Sequence, residues 1–202
     1  MGFDTNDKHT MYSKIKIGIT QGDTSGIGLE CVLGALADPR MLELFTPVLY
    51  ASEAAVEYYK KGIEEGESIA IHKIASADKA QDKQINLVCT PTSAAVTAGK
   101  GSTESGKAAI EALRMAVADA KRGEIDGIVT MPICKENTKS DNFPYAGHTG
   151  YFGDEFEGSP TMMMISDTMR VALQTTHIPL EEVRNNISIE SIVSKLKELK
   201  TS

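Results

Sequence analysis

The feature that most constrains the fold is a strand, a glycine-rich turn and a helix that follow one another near the start of the chain. Residues 14–20, KIKIGIT, place an isoleucine at every second position, which is typical of a strand. The turn GDTSGIG at 22–28 follows, and residues 27–36 have the pattern of a helix. Because repeated strand–helix units build a parallel sheet covered by helices, this opening predicts an α/β fold.

The rest of the chain extends this alternation. Further strands are predicted at 47–51, 69–74, 85–89, 125–131, 161–165 and 170–176, and further helices at 53–61, 103–122 and 188–200. Ser52 and Ser102 are the expected N-caps of two helices, and Gly62 and Gly123 are expected to end them. The polar residues 76–84 indicate a surface loop, and 125–131 indicates a buried strand. We therefore expect a mixed, mostly parallel sheet covered by helices on both faces.

Composition and charge exclude several classes of function. The chain has 202 residues, 41% of them hydrophobic, which suits an ordinary globular protein, and its net charge of −7 gives little electrostatic support for binding nucleic acid. Three widely spaced cysteines argue against a disulfide framework or a thiolate zinc site, and favour a reducing compartment. Residues 1–13 lack the apolar core of a signal peptide, and no stretch reaches the length of a membrane-spanning helix. We expect a cytoplasmic protein that binds neither nucleic acid nor a membrane, with a flexible leader at 1–13.

Two segments that follow predicted strands offer polar groups at the carboxyl edge of the sheet, where open α/β folds bind ligands. The glycine-rich turn either contacts a ligand or is simply a tight turn, and the pattern supports both interpretations about equally. Lys135 follows the strand at 125–131 and can meet a carboxylate or a phosphate. A lone lysine usually meets only solvent, but its place at this edge makes Lys135 our candidate catalytic residue. The adjacent Cys134 is expected to be inert.

Two histidines have neighbours that suggest chemistry. In Gly147-His148-Thr149, the glycine permits a tight turn, and the imidazole and hydroxyl can hydrogen-bond one small polar ligand. His177 ends the predicted strand at 170–176 just before a proline, and a strand-end imidazole suits a metal ion. Either histidine, taken alone, is more often a structural hydrogen bonder. His72 lies inside a predicted strand, and its neighbours in sequence suggest no chemistry.

The chain resembles the 4-hydroxythreonine-4-phosphate dehydrogenase family of vitamin B6 biosynthesis over its whole length after the leader. The resemblance begins in the opening IGITQGDTSGIGLE. It continues in four ordered blocks: AGKGSTESGKAA at 98–109, IVTMPICK at 128–135, FPYAGHT at 143–149 and RVALQTTHIPL at 170–180. Together the blocks are far more specific than any single motif.

The resemblance implies a fold like that of the isocitrate and isopropylmalate dehydrogenases, with a first α/β domain at 14–135 and the beginning of an incomplete second domain at 136–202. It also implies that His148 and Thr149 contact a phosphorylated substrate, and that His177 is one ligand of a catalytic divalent metal such as Zn, Mg or Co. The implied reaction is oxidation, followed by decarboxylation, of 4-phosphohydroxy-L-threonine with NAD or NADP. No cofactor-binding residue is assigned. The family is dimeric, so the expected partner is a second copy or a complementing C-terminal segment.

Two sequence differences from the family pattern, and two family motifs that these residues lack, leave other functions open. The opening reads GDTSGIG where GDPAGIG is usual in the family, and Gly150 replaces a common glutamate. A related dehydrogenase of threonate or erythronate 4-phosphate is therefore an alternative. The family's two later metal histidines, in motifs of the types Asn-Pro-His-Ala-Gly and Tyr-His-Asp-Gln-Gly, do not occur in these 202 residues. A non-catalytic binding or assembly fragment is thus a further hypothesis, and phosphoryl transfer comes last because the Walker-type lysine is missing.

Overall fold

The computed structural model describes residues 14–64, 66–92, 96–156 and 160–201. The chain divides into two compact units, Met1–Tyr151 and Phe152–Ser202, and each is described by itself. The expected flexible leader at 1–13 lies outside the described residues. The predicted domains at 14–135 and 136–202 stay a prediction.

A sheet of five parallel strands forms the centre of the first unit, as the strand–helix alternation predicted. The strands are β1 Lys16–Thr20, β2 Thr46–Ala51, β3 Ile71–Ile74, β4 Ile85–Cys89 and β5 Gly127–Thr130. Their order across the sheet is β3-β4-β2-β1-β5. The central strand β2 is buried along its whole length, which fits a parallel sheet covered on both faces.

Helices cover the two faces of this sheet through two separate apolar clusters. The helices of the first unit are α1 Gly28–Leu36, α2 Met41–Leu44, α3 Glu53–Lys60, α4 Thr103–Lys121 and α5 Lys135–Thr138. Leu33 of α1 and Val56 of α3 share a buried cluster with Leu49 of β2. Ala112 of α4 packs with Val48 in the other cluster. Each sheet face thus has its own core.

Local sequence signals set the ends of the helices, and the predicted caps are confirmed. The side chain of Ser52 accepts a hydrogen bond from the N–H of Ala55 at 3.2 Å, at the start of α3. Ser102 and Ser105 form a reciprocal capping box at the start of α4. Gly123 has φ +70° directly after α4 ends, a conformation that suits glycine.

One local prediction is wrong and one is confirmed. The strand at 125–131 is predicted to be buried, but β5 lies at the edge of the described sheet and Val129 is 45% exposed. The predicted surface loop at 76–84 is confirmed, and it contains a short 3-10 turn at Ala77–Lys79 whose alanine is buried in the cluster on the α4 side of the sheet. Periodicity gave no sign of the edge position of β5, because it depends on tertiary neighbours.

Among its described residues, the second unit contains a β-hairpin and two helices, together with the end of α6 (His148–Glu155), which begins in the first unit. Its elements are β6 Met163–Ile165, β7 Arg170–Ala172, α7 Leu180–Val183 and α8 Ile189–Thr201. The strands predicted at 161–165 and 170–176 are shorter in the structure, and they pair with each other in an antiparallel sheet. A tight turn, in which Ser166 N–H donates to Met169 O at 2.8 Å, requires this antiparallel arrangement.

The predicted C-terminal amphipathic helix is confirmed as α8, and its apolar stripe is exposed. Ile189 is 78% exposed and Leu196 is 60% exposed. Ser188 and Ser191 exchange side-chain hydrogen bonds at its start and form a cap that propensity alone did not specify. Among the helices that the structure describes, none is both long enough and apolar enough to span a membrane.

Candidate functional site

The carboxyl ends of β1 and β5 form the point where the chain changes direction across the sheet. From β1 the chain passes to β2 on one side, and it later reaches β5 on the other side of β1. Open α/β sheets bind ligands at such a switch point. Two of the family-like blocks, the glycine-rich turn and the segment that leads to Lys135, meet here.

Close packing against the segment after β5 explains the glycines of the turn. Gly22 has φ +66°, and a Cβ there would lie 2.4 Å from the carbonyl oxygen of Pro132. A Cβ at Gly28 would lie 2.8 Å from Cβ of Met131. Asp23 N–H donates to Pro132 O at 2.9 Å and joins the two segments. Of the two interpretations of this turn, the tight turn therefore has direct support.

A buried carboxylate also lies within the turn. Asp23 is 7% exposed, and its Oδ1 accepts from Ser25 N–H at 2.8 Å. Gln21 is fully buried: its Nε2 donates to Ala108 O at 3.0 Å, and its Oε1 accepts from Ser52 N–H at 2.9 Å. A negative charge inside the turn disfavours an anion there. We therefore do not assign the phosphate of a ligand to the glycine-rich turn.

Lys135 lies beside the Gly147-His148-Thr149 segment. It is the first residue of α5, and its side chain is exposed. Its Cε lies 4.0 Å from the position that a Cβ would take at Gly147. This distance is an ordinary van der Waals separation, so the lysine stem lies against the backbone of Gly147. The structure thus places Lys135 next to the segment that carries His148 and Thr149.

Three aromatic rings stabilise the segment that carries His148. Phe143 is fully buried, and its ring centroid lies 5.1 Å from that of Tyr145 and 5.2 Å from that of Tyr151. The rings of Tyr145 and Tyr151 are 5.4 Å apart in an edge-to-face arrangement. Ser140 and Phe143 also exchange backbone hydrogen bonds of 3.1 and 2.9 Å. The segment is therefore fixed on both sides of its exposed residues.

His148 and Thr149 begin helix α6, His148–Glu155. His148 is half-buried, and this burial lowers the pKa of its imidazole. The neutral ring, which has one N–H donor and one acceptor nitrogen, is therefore favoured. Thr149 is exposed, so its hydroxyl is accessible to a ligand. Together with the Lys135 ammonium, these groups offer a cation, a hydroxyl and an imidazole.

His177 lies in the second unit, in a loop. The expectation that it ends a strand is wrong, because β7 stops at Ala172 and irregular backbone follows. His177 is exposed and has φ +56°, a conformation that histidine adopts at a cost of about 1 kcal/mol or more. Non-glycine residues held in this conformation often occur at functional sites.

The donor set tests whether this chain can hold a metal. No group of three His, Cys, Asp or Glu side chains suited to a metal ion occurs among the described residues. A catalytic zinc needs about three protein ligands, so His177 fits a metal only as one ligand of a shared site. The resemblance implied that same role, with the other histidines lying elsewhere.

Sequence reasoning missed Asn137, which joins α5 to the start of α4. A Cβ at Gly106 would lie 2.1 Å from the carbonyl oxygen of Asn137, and one at Gly101 would lie 2.2 Å from its Nδ2. The signal was present in the sequence, because an isolated glycine inside a strongly helical pattern often marks a close approach. These contacts set the position of α5 and hence of Lys135.

Comparison with known proteins identifies the family of the chain. Residues 43–202 match the family model of the pyridoxal phosphate biosynthetic protein PdxA. The chain belongs to this family. The resemblance read from the five sequence blocks is thereby confirmed.

Relatives with assigned names extend the match. A 4-hydroxythreonine-4-phosphate dehydrogenase of Bacteroides thetaiotaomicron is 39% identical over 91% of this chain and 51% of its own length. A putative D-threonate 4-phosphate dehydrogenase of Halalkalibacterium halodurans is 29% identical over 90% of this chain and 55% of its own length. The chain therefore spans about half the length of the curated relatives that it matches.

A solved structure confirms the fold. The crystal structure of a 4-hydroxythreonine-4-phosphate dehydrogenase from Burkholderia phymatum superposes with a TM-score of 0.82 at 26% identity. The match covers 92% of this chain and 57% of that one. The α/β fold expected from the sequence is thus the fold of known PdxA family members.

Proposed function

We propose that this chain carries the substrate-contacting part of an NAD- or NADP-dependent dehydrogenase of 4-phosphohydroxy-L-threonine in pyridoxal phosphate biosynthesis. The reaction is oxidation of the substrate hydroxyl followed by decarboxylation. The observation that carries the proposal is the grouping of Lys135 with Gly147-His148-Thr149 in a chain of the PdxA family. The names of the relatives supply the substrate.

The three grouped side chains match the chemistry of a phosphorylated hydroxy acid. The Lys135 ammonium donates to a phosphate or carboxylate, and the Thr149 hydroxyl adds a neutral hydrogen bond. His148, with its pKa lowered by burial, adds a neutral imidazole that discriminates by geometry rather than by charge. Since the chain has a net charge of −7, a local cation is needed to hold an anionic substrate.

A divalent metal is part of this proposal. His177 would hold it as one ligand, and the bound metal would polarise the substrate hydroxyl and stabilise the charge that forms during decarboxylation. An imidazole ligand suits Zn or Co better than Mg. The exposed position and left-handed backbone of His177 support this role.

A second substrate is supported by a specific relative. The protein of Halalkalibacterium halodurans is named for D-threonate 4-phosphate, in which a hydroxyl replaces the amine of the first substrate. Gly150, directly after Thr149, leaves this position without a side chain. The same cation and hydroxyl would serve both substrates, so their relative rates decide between them.

A partner is also part of the proposal. The α8 stripe exposes Ile189, Val193 and Leu196, and a contiguous apolar surface of this kind usually contacts another surface. We propose that a second copy of the protein, or a C-terminal segment that complements this chain, covers it.

The test is formation of NADH or NADPH by the full-length protein that contains this chain. We expect turnover of 4-phosphohydroxy-L-threonine that needs a divalent metal and stops when a chelator is added. Lys135→Met should lower kcat/KM by about tenfold or more, because it removes a charge-assisted contact. The control Lys61→Met removes an exposed lysine of α3's C-terminal end and should leave the rate unchanged. If the full-length protein oxidises neither 4-phosphohydroxy-L-threonine nor D-threonate 4-phosphate, the proposal is refuted.

A further inference from the structure

A cavity separate from the grouped site residues lies between α4 and the segment 136–143. Its volume is about 480 Å³, within the usual range for small-molecule sites. Lys107, Arg114, Lys139, Ile110, Met115 and Phe143 are among the residues that line it. Lys135, His148 and Thr149 are not. The cavity is therefore a different place from the proposed substrate site.

The rim of the cavity has an excess of positive charge. Three cationic side chains, Lys107, Arg114 and Lys139, line it with two carboxylates, Glu111 and Glu136. This local balance is opposite in sign to the net charge of −7. A cationic rim on an acidic protein favours an anionic ligand.

Within the part of the chain that the structure describes, Arg114 is the one cation of the three with a hydrogen bond that fixes it in the fold. Arg114 Nη2 donates to Asn142 O at 2.5 Å, so this guanidinium is held in place with other N–H groups left to donate. Among the described residues, the Lys107 and Lys139 ammonium groups form no ion pair within 4.0 Å. One carboxylate is committed, because Glu111 Oε2 accepts from Thr92 N–H at 2.8 Å.

Apolar side chains also line the cavity. Met115 is half-buried and Ile110 is 8% exposed, so these two offer apolar surface to a ligand, whereas Phe143 is fully buried and offers none. An inorganic anion would gain nothing from this surface, whereas a ring or short hydrocarbon would bury apolar area against it. Methionine adapts its shape to an aromatic ligand and makes favourable sulfur–ring contacts.

We propose that this cavity binds a small organic phosphate, with the phosphate at the Lys107, Arg114 and Lys139 rim and the apolar body on Met115 and the exposed edge of Ile110. Two features of the cavity support this chemistry: cations gathered at the rim and apolar side chains in the lining. Neither feature alone would distinguish it from a solvated surface. The inference concerns a second site and does not depend on the proposed dehydrogenase activity.

The test is calorimetric titration of the full-length protein with phenyl phosphate. We expect saturable binding that Lys107→Met weakens about two- to fivefold, as loss of one partly exposed charge contact should do. The matched control Lys61→Met, which removes an equally exposed lysine, should not change the affinity. Inorganic phosphate and benzyl alcohol, which each carry half of the ligand's chemistry, should bind more weakly than phenyl phosphate.

Two further measurements locate the ligand. The methyl resonance of Met115, assigned with Met115→Leu, should shift on titration, and the resonance of Met41 should not. Lys135→Met should leave the affinity that is read from the Met115 shift unchanged, because Lys135 does not line this cavity. If Lys135→Met abolishes binding and Lys107→Met does not, phenyl phosphate occupies the proposed substrate site, and the second site is refuted. Absence of binding, or equal losses in Lys107→Met and Lys61→Met, would also overturn the inference.

Discussion

Replacing Gly106 with alanine tests whether the close approach of α4 and α5 sets the position of Lys135. Gly106 lies inside α4, where a Cβ would meet the carbonyl oxygen of Asn137 at 2.1 Å. Gly34 is the matched control, because it lies inside α1 and a Cβ there would meet nothing within 4 Å. Both substitutions make the same chemical change in a helix, and only one has a neighbour in the way.

The magnitude follows from two opposing effects. Glycine in a helix interior costs about 1 kcal/mol relative to alanine, so Gly34→Ala should raise the free energy of unfolding by about 0.5–1 kcal/mol. At Gly106 the same gain is opposed by a contact roughly 1 Å shorter than van der Waals separation with a backbone atom, and overpacking of this kind costs about 1–3 kcal/mol. We expect Gly106→Ala to be net destabilising, by up to about 2 kcal/mol once the helix gain is subtracted.

Urea denaturation followed by tyrosine fluorescence is the suitable assay. The chain has no tryptophan, and the described tyrosines all lie in the first unit, so the signal reports that unit. Gly106→Ala should lower the transition midpoint and Gly34→Ala should raise it. If Gly106→Ala is as stable as Gly34→Ala, α5 does not pack on α4 as described, and the argument for the position of Lys135 fails.

Three smaller predictions concern single side chains of the first unit and the start of α6. Tyr50 Oη donates to the buried Asp119 carboxylate at 2.6 Å, so Tyr50→Phe should lower the free energy of unfolding in urea titrations by about 1–3 kcal/mol. The control Tyr58→Phe, at an exposed ring, should change it by less than about 0.5 kcal/mol. Burial lowers the pKa of His148, so the folded protein favours the neutral imidazole more than the unfolded chain does. The stabilisation from this burial is therefore complete above the ordinary histidine pKa, and it is lost as the pH falls through the lower pKa of the folded state. His148→Gln should therefore flatten the fall in unfolding free energy measured from about pH 8 to pH 5, and an unchanged slope would contradict this. Gly150→Glu adds a carboxylate to the first turn of α6, which has no acidic residue. At low salt, the free energy of unfolding of Gly150→Glu should exceed that of Gly150→Ala by about 0.3–1 kcal/mol, because a negative charge is favourable near a helix N-terminus. The difference should vanish at high salt.

Much of the first unit could be predicted because its signals are local. The strand KIKIGIT, the serine caps of α3 and α4 and the glycine that ends α4 each act within a few residues. Such patterns specify an element whatever packs against it. Together they define strand–helix units, and these predict a parallel sheet.

Features that depend on distant residues could not be predicted in this way. The antiparallel pairing of β6 with β7 is one such feature, because alternation identifies a strand but does not show which strand it pairs with. The edge position of β5 has the same cause. Likewise, the glycines at 22 and 28 suggested a ligand loop as readily as the close packing on Met131 and Pro132 that the structure shows.

The site residues show the same division. Periodicity located Lys135 after a strand and the motif Gly147-His148-Thr149 in a separate segment, but it offered no physical reason to place them together. The aromatic cluster at Phe143 and the contact of Lys135 with the backbone of Gly147 bring them together, and both are tertiary. His177 remains a predicted metal ligand, whose loop conformation agrees with a functional role without identifying the metal.

The central claim is that Lys135, His148 and Thr149 hold a phosphorylated four-carbon acid, and the most direct test is a dissociation constant. We would titrate 4-phosphohydroxy-L-threonine calorimetrically into the full-length protein, His148→Gln and the control His72→Gln. His72 lies on β3 and belongs to no part of the proposed site. We expect His148→Gln to weaken binding by about tenfold, as loss of a desolvated hydrogen bond should do, and His72→Gln to leave it unchanged. Equal affinity for the wild type and His148→Gln would contradict the account.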